Sequence, residues 1–238
     1  MKHIFFDLDG TLLPMEVGVF GRGYFEGLTR YFAQYGYEPN TFMEALKVSV
    51  YSMFENDGSR TNEELFFEKF LPVVNKTREE CQPLMDVFYT EHFPNIVKET
   101  CGYNEKAKEA IRILKDKGYK VYILTNPLFP PLATETRIKH AGINLDDVSY
   151  VTTYDNSTYA KPNPKYYEEV MNKFGITKDE VMMVGNDTRE DMAIMKLGVP
   201  CYMIEDDLIN RDNLSLDGVM HGSFDDFMNF ITTLEDAN

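Results

Sequence analysis

Cysteine is scarce in this chain, and so are histidine, positive charge and long apolar runs. The three cysteines, Cys81, Cys101 and Cys201, lie far apart. An odd number without close spacing argues against a disulfide framework and a zinc site, and it suits a reducing compartment. The histidines, His3, His92, His140 and His221, show no ligand spacing to one another. Basic residues number 24 against 39 acids, a formal charge of −15. That field repels nucleic acid and anionic membranes, so neither is expected as a partner. No apolar run approaches the roughly 20 residues that span a bilayer. Asp7 breaks the N-terminal apolar run too early for a secretory signal. The expectation is a soluble cytoplasmic protein, monomer or homodimer.

A length of 238 residues fits one large domain or a core with a smaller appendage. Apolar content of 43% is enough for a sizeable core. Residues 4 to 11 carry the strongest signal. Ile4, Phe5 and Phe6 read as a buried strand, and Asp7, Leu8, Asp9, Gly10 and Thr11 as the tight loop leaving it. Further short apolar runs follow at Val121 to Leu124, Val148 to Thr152, Val181 to Val184 and Cys201 to Ile204. Helical patterns separate them. Ala107, Ile111 and Leu114 share one face, with Gly118 at the C-cap; Asn163 and Pro164 open a helix that Gly175 closes. Thr188 is placed to cap a helix carrying Met192, Met195 and Leu197. Strands alternating with helices predict a parallel sheet of five strands, or six if Gly218 to Met220 contributes.

Residues 15–95 hold no strand pattern. Phe25, Leu28, Tyr31 and Phe32, then Phe42, Leu46, Val50 and Met53, then Leu65, Phe66 and Phe70, recur at helical spacing. The predicted organisation is an α/β core, residues 1–14 and 96–238, interrupted by a helical insertion at 15–95. Phe66, Phe67 and Phe70 are read as packing within that insertion. Arg22 could reach a substrate or form a surface ion pair, and it is not assigned to the site.

Each strand is followed by a polar loop. The first brings Asp7 and Asp9, the second Thr125 and Asn126, the third Lys161, and the fourth Asn186 and Asp187 with Asp191 one turn on. Open α/β sheets bind ligands at that carboxyl edge. Together these groups suit a phosphate and a hard divalent cation. The set resembles the haloacid dehalogenase superfamily: an Asp-x-Asp-Gly-Thr loop (Asp7 to Thr11), a Thr ending a later strand (Thr125), a Lys (Lys161) and an acidic pair (Asp187, Asp191). The resemblance runs from residue 4 to about 200. An insertion between the first two motifs is similar to the helical cap of that family. The implied fold is a Rossmann-like parallel sheet with an all-helical cap.

The same resemblance implies a chemistry. Asp7 would be the nucleophile, forming an aspartyl-phosphate, and Asp9 the acid and base. Asp7, Asp187 and the backbone carbonyl of Asp9 would hold Mg²⁺. Thr125, Lys161 and the backbone N–H groups of Leu8, Asp9 and Asn126 would receive the phosphate, and Asp191 would orient Lys161 or a metal-bound water. Relatives that cleave carbon–halogen bonds lack an acid at the position of Asp9. Its presence points to phosphoryl transfer from a small-molecule phosphate ester. A sugar-phosphate mutase and a non-catalytic binding module stand as alternatives. Pro127, Pro130 and Pro131 after Thr125 depart from the family pattern; they predict delayed helix formation and a stiff loop that narrows the pocket, meets the cap or simply connects.

Overall fold

A computed structural model describes residues 1–237. The sheet consists of β1 (His3–Phe6), β2 (Lys120–Ile123), β3 (Tyr150–Val151), β4 (Val181–Gly185), β5 (Cys201–Ile204) and β6 (Met220–Gly222). All pair in parallel, in the order β3-β2-β1-β4-β5-β6. The chain order reverses between β1 and β4. That switch point leaves a crevice at the carboxyl ends of the two strands. Phe6 lies beside Ile123 on one side and Val184 on the other, so the loops after three strands meet there.

Successive side chains alternate between faces, and helices cover both. Ile4, Phe6, Ile123 and Val184 belong to one buried cluster, with Ala107, Ile111 and Leu114 from α6 (Glu105–Asp116) and Phe227 and Ile231 from α9 (Phe224–Thr233). Phe5, Tyr122, Leu124 and Met183 belong to the other, under Tyr166, Tyr167 and Val170 of α8 (Pro164–Phe174). Each buried Ile, Leu, Val, Phe or Met among them contributes about 1.5–3 kcal/mol relative to an exposed one. Asn163 caps α8, Pro164 fills its first turn, and Gly175 ends it at φ +65°, as the spacing predicts.

Between β1 and α6 come α1 (Val17–Ala33), α2 (Pro39–Phe54), α3 (Asn62–Val74), α4 (Arg78–Val87) and α5 (Phe93–Thr100), with a π-turn at Phe88–His92 joining the last two. Thr61 with Glu64 and Thr77 with Glu80 form capping boxes that start α3 and α4. Inside this helical layer Phe32 stacks on Phe42, and Phe70 meets Phe42 edge to face. The chain leaves and returns at one point, where Gly102 N–H donates to Pro14 O at 2.8 Å.

Three local expectations change. The third strand is shorter than Val148 to Thr152, because Val148 N–H closes a 3-10 turn onto Leu145 O. The sixth strand forms, but over Met220–Gly222. Thr188 is not a cap: its hydroxyl bonds Asn210 Oδ1 at 3.1 Å, while Asp187 Oδ1 accepts the N–H groups of Arg189 and Glu190 at 2.8 and 3.1 Å. The segment it precedes, Asp191–Leu197, is a 3-10 helix.

Candidate active site

Lys161 is the centre of the site. It is fully buried, and its ammonium lies 2.7 Å from Asp7 Oδ1 and 2.7 Å from Asp191 Oδ1. Asp7 lies 154 residues from Lys161 in sequence and Asp191 lies 30, and the sheet brings the three charges together. Asp191 Oδ2 accepts the backbone N–H groups of Asn186 and Asp187, both at 2.9 Å. It therefore fixes both the lysine and the loop after β4. Gly185 makes this possible, since a Cβ there would stand 2.2 Å from the Asp191 carboxyl.

Burial dominates the electrostatics. It pushes Asp7 up, against the opposing pull of Lys161, and pushes Asp191 up to about 6 against the same cation. Burial also works to lower Lys161, but the carboxylates of Asp191 and Asp7 outweigh it and hold the lysine well above its usual range. The ammonium is therefore retained.

Thr125 is buried beside Asp9, its hydroxyl 3.4 Å from Asp9 Oδ2. Its carbonyl is pinned by the hydroxyls of Thr152 and Tyr166, each at 2.8 Å. The Asn126 side-chain amide is already committed, to Glu190 Oε2 at 3.1 Å and Lys161 O at 3.4 Å. Among the described residues its backbone N–H and that of Asp9 have no acceptor, which leaves them for a ligand. Gly10 turns the first loop at φ +85°. A side chain there would meet the loop after β4, since its Cβ would fall 2.1 Å from Asn186 Nδ2.

Three participants escape the sequence motifs. Arg137, fully buried on α7 (Pro131–His140), pairs with Asp9 Oδ2 and packs 4.5 Å from the Phe129 ring. Its signal is a charged residue at helical spacing with Ala133 and Ala141, on a face that should be apolar. Glu190 is pushed by burial up to about 8, and Arg211 lies 3.2 Å from Asp187 Oδ2. Nothing in their spacing marks either. Arg22 is exposed and lies outside the site.

Asp7, Asp9, Thr125, Asn126, Asp187 and Asp191 line one cavity of about 310 Å³. Among the described residues no three acidic, histidine or cysteine side chains converge as a metal cage. Mg²⁺ does not require one, since it keeps several waters and takes one or two carboxylates. Asp7 Oδ2 receives only the Thr11 hydroxyl, at 3.5 Å, so it has coordinating capacity to spare. With Asp187 and the Asp9 carbonyl, it fits such an ion. The proline-rich loop does delay the helix, which begins at Pro131. It also meets the helical layer: Phe129 packs on Phe20, Tyr24 and Phe93, and Asn62 of α3 donates to Pro127 O at 3.2 Å.

A family model for haloacid dehalogenase-like hydrolases matches residues 1–197. The chain belongs to this family. Hydrolases of the family generally work with a divalent metal. Two curated relatives share part of it. Pyrophosphatase PpaX of Halalkalibacterium halodurans is 29% identical over 102 residues, 42% of this chain and 45% of the relative. Glyceraldehyde 3-phosphate phosphatase of Methanothermobacter thermautotrophicus is 26% identical over 111 residues, 44% and 47% respectively. The chain thus matches just under half the length of each. The crystal structure of a HAD phosphatase from Thermococcus onnurineus superposes over 100% of both chains, with a TM-score of 0.61 at 19% identity. That likeness establishes the fold for this family member. Among the described residues no helix is long and apolar enough to cross a membrane.

Proposed function

We propose that this hydrolase releases phosphate from a small phosphate monoester through an aspartyl-phosphate on Asp7. The observation that carries the reading is Lys161, buried behind the cavity floor and held at 2.7 Å from both Asp7 and Asp191, which line it. A buried ammonium beside a carboxylate prepares a place for further negative charge. Residues 15–95 are read as the cap over that floor, and the protein as cytoplasmic, acting on a small molecule rather than on nucleic acid.

In the first step an Asp7 oxygen attacks phosphorus and the bond to the leaving oxygen breaks. Asp9 gives that oxygen its proton. In the second, water attacks the aspartyl-phosphate, Asp9 takes its proton, the bond from phosphorus to Asp7 breaks, and inorganic phosphate leaves. Arg137 holds one Asp9 oxygen; the other, Oδ1, is buried with no partner and is the one available for the proton. Thr125 and the N–H groups of Asp9 and Asn126 face the phosphoryl oxygens, and Lys161 balances their charge. Mg²⁺, held by Asp7, Asp187 and the Asp9 carbonyl, would neutralise the dianion that so acidic a floor otherwise repels. The names of the curated relatives, both phosphate-releasing enzymes, agree with the reading.

The test is phosphate release with and without Mg²⁺ across a panel of phosphomonoesters, in the wild-type chain and in Asp7→Asn. Loss of turnover in the variant supports the proposal; undiminished release refutes it.

A further inference from the structure

The cavity has two kinds of wall. Its floor, from the core, carries every charged group that lines it: Asp7, Asp9, Asp187, Glu190, Asp191 and Arg211. The residues that line it from positions 15–95 carry no charge. They are chiefly large and apolar, as in Phe20, Phe25, Leu46, Val50 and Phe54. The core side above the floor continues this surface with Leu128 and Phe129. Val17 and Phe54, also part of the lining, remain 42% and 41% exposed, so the apolar surface extends towards solvent.

The hydroxyls that the insertion brings to the cavity are largely spent. Tyr24 and Tyr89 bond each other at 2.7 Å. One of the two donates to the other, which leaves a single O–H proton. Burial pushes Tyr24 up to about 12 and Tyr89 well above its usual range, so neither becomes an anion near neutrality. Arg211 is the cation in the lining, and it faces Asp187.

A ligand is bound by what surrounds it. A polyhydroxylated or carboxylated leaving group placed among these rings would surrender water and find almost no partner. Each hydroxyl so stranded costs about ten-fold in affinity or more, and a carboxylate costs further. An apolar group loses nothing by the transfer and gains the burial. A volume near the low end for small-molecule sites limits it to modest size.

Resting on the phosphatase reading, we propose that the cap selects a phosphate monoester whose alcohol portion is apolar, an aryl or branched-alkyl group with at most one hydrogen-bond acceptor. Phosphates of sugars and of hydroxy acids are disfavoured by the same wall. Specificity then comes from the insertion excluding water around the leaving group, while the floor holds the phosphoryl group common to all candidates.

Non-hydrolysable phosphonates separate this inference from turnover. The full chain with Mg²⁺ is titrated calorimetrically with benzylphosphonate and with phosphonoacetate. Benzylphosphonate is expected to bind at least ten-fold more tightly. Equal affinity, or tighter binding of phosphonoacetate, overturns the inference and leaves the phosphatase reading intact. If neither binds and no phosphomonoester is hydrolysed, both readings fall. Phe54→Arg places a cation at the partly exposed part of the lining, where the fold can accept it. It should narrow the ratio by ten-fold or more in favour of phosphonoacetate; an unchanged ratio would show that this wall does not contact the leaving group, and would also overturn the inference.

Discussion

Replacing Arg137 with methionine keeps an unbranched apolar stem against Phe129 and removes only the guanidinium. The loss follows from what that group touches. It pairs with Asp9, whose side chain is 22% exposed, and it also donates to Ala133 O and Thr134 Oγ1, both at 3.4 Å. Removing one member of a buried ion pair costs about 3–5 kcal/mol, because the other charge is left uncompensated. Partial exposure of Asp9 places this case near the lower end, at about 3 kcal/mol. The lost contact with the Phe129 ring adds about 1 kcal/mol. Arg137→Met should therefore lose about 4 kcal/mol. Asp9→Asn should also destabilise, since it strands a buried cation. The double variant strands neither charge, so the two losses should fall short of adding by about 2–3 kcal/mol. Urea unfolding read by circular dichroism measures all four proteins; the chain has no tryptophan for fluorescence. A coupling below about 0.5 kcal/mol, as exposed pairs show, would refute the reasoning.

Lys161→Met should lower kcat by about 10²-fold or more, as loss of a preorganised charge at a reacting group does; a steady-state assay with less than a five-fold change would remove the lysine from the chemistry. Gly185→Ala should displace the Asp191 carboxyl from Lys161 and from two backbone N–H groups, costing about 1–3 kcal/mol through overpacking. Its thermal midpoint and activity should fall together, and wild-type values for both would contradict the close approach. EDTA should abolish phosphate release, and excess Mg²⁺ should restore it; full activity in the chelator would exclude the metal from the reading.

Much of the core was legible because its signals are local. The apolar strands, the Asn163–Pro164 start and the Gly175 stop depend on neighbours in sequence, and apart from the shortened third strand and the shifted sixth the structure places those elements where the pattern does. The Asp7, Thr125, Lys161 and Asp191 positions were legible through order and spacing after strands. Thr188 was misread because two side chains competed for the same N–H groups and the longer-range bond to Asn210 claimed the hydroxyl. Arg137 stayed hidden because a basic residue on a short helix usually means solvent. Only packing of α7 against the loop after Thr125 reveals a buried cation.

The amino-acid sequence alone determined which residues stand at the ends of the strands, because strand, turn and cap preferences are set within a few residues of the chain. The tertiary structure decided what those residues face. It put Lys161 between two carboxylates, gave Asp9 a buried arginine partner, and closed the floor with an apolar wall assembled from α1, α2 and the loop before α7. Those relations join positions tens to more than a hundred residues apart, and their energies come from lost solvent and close contact, neither of which exists until the chain has folded.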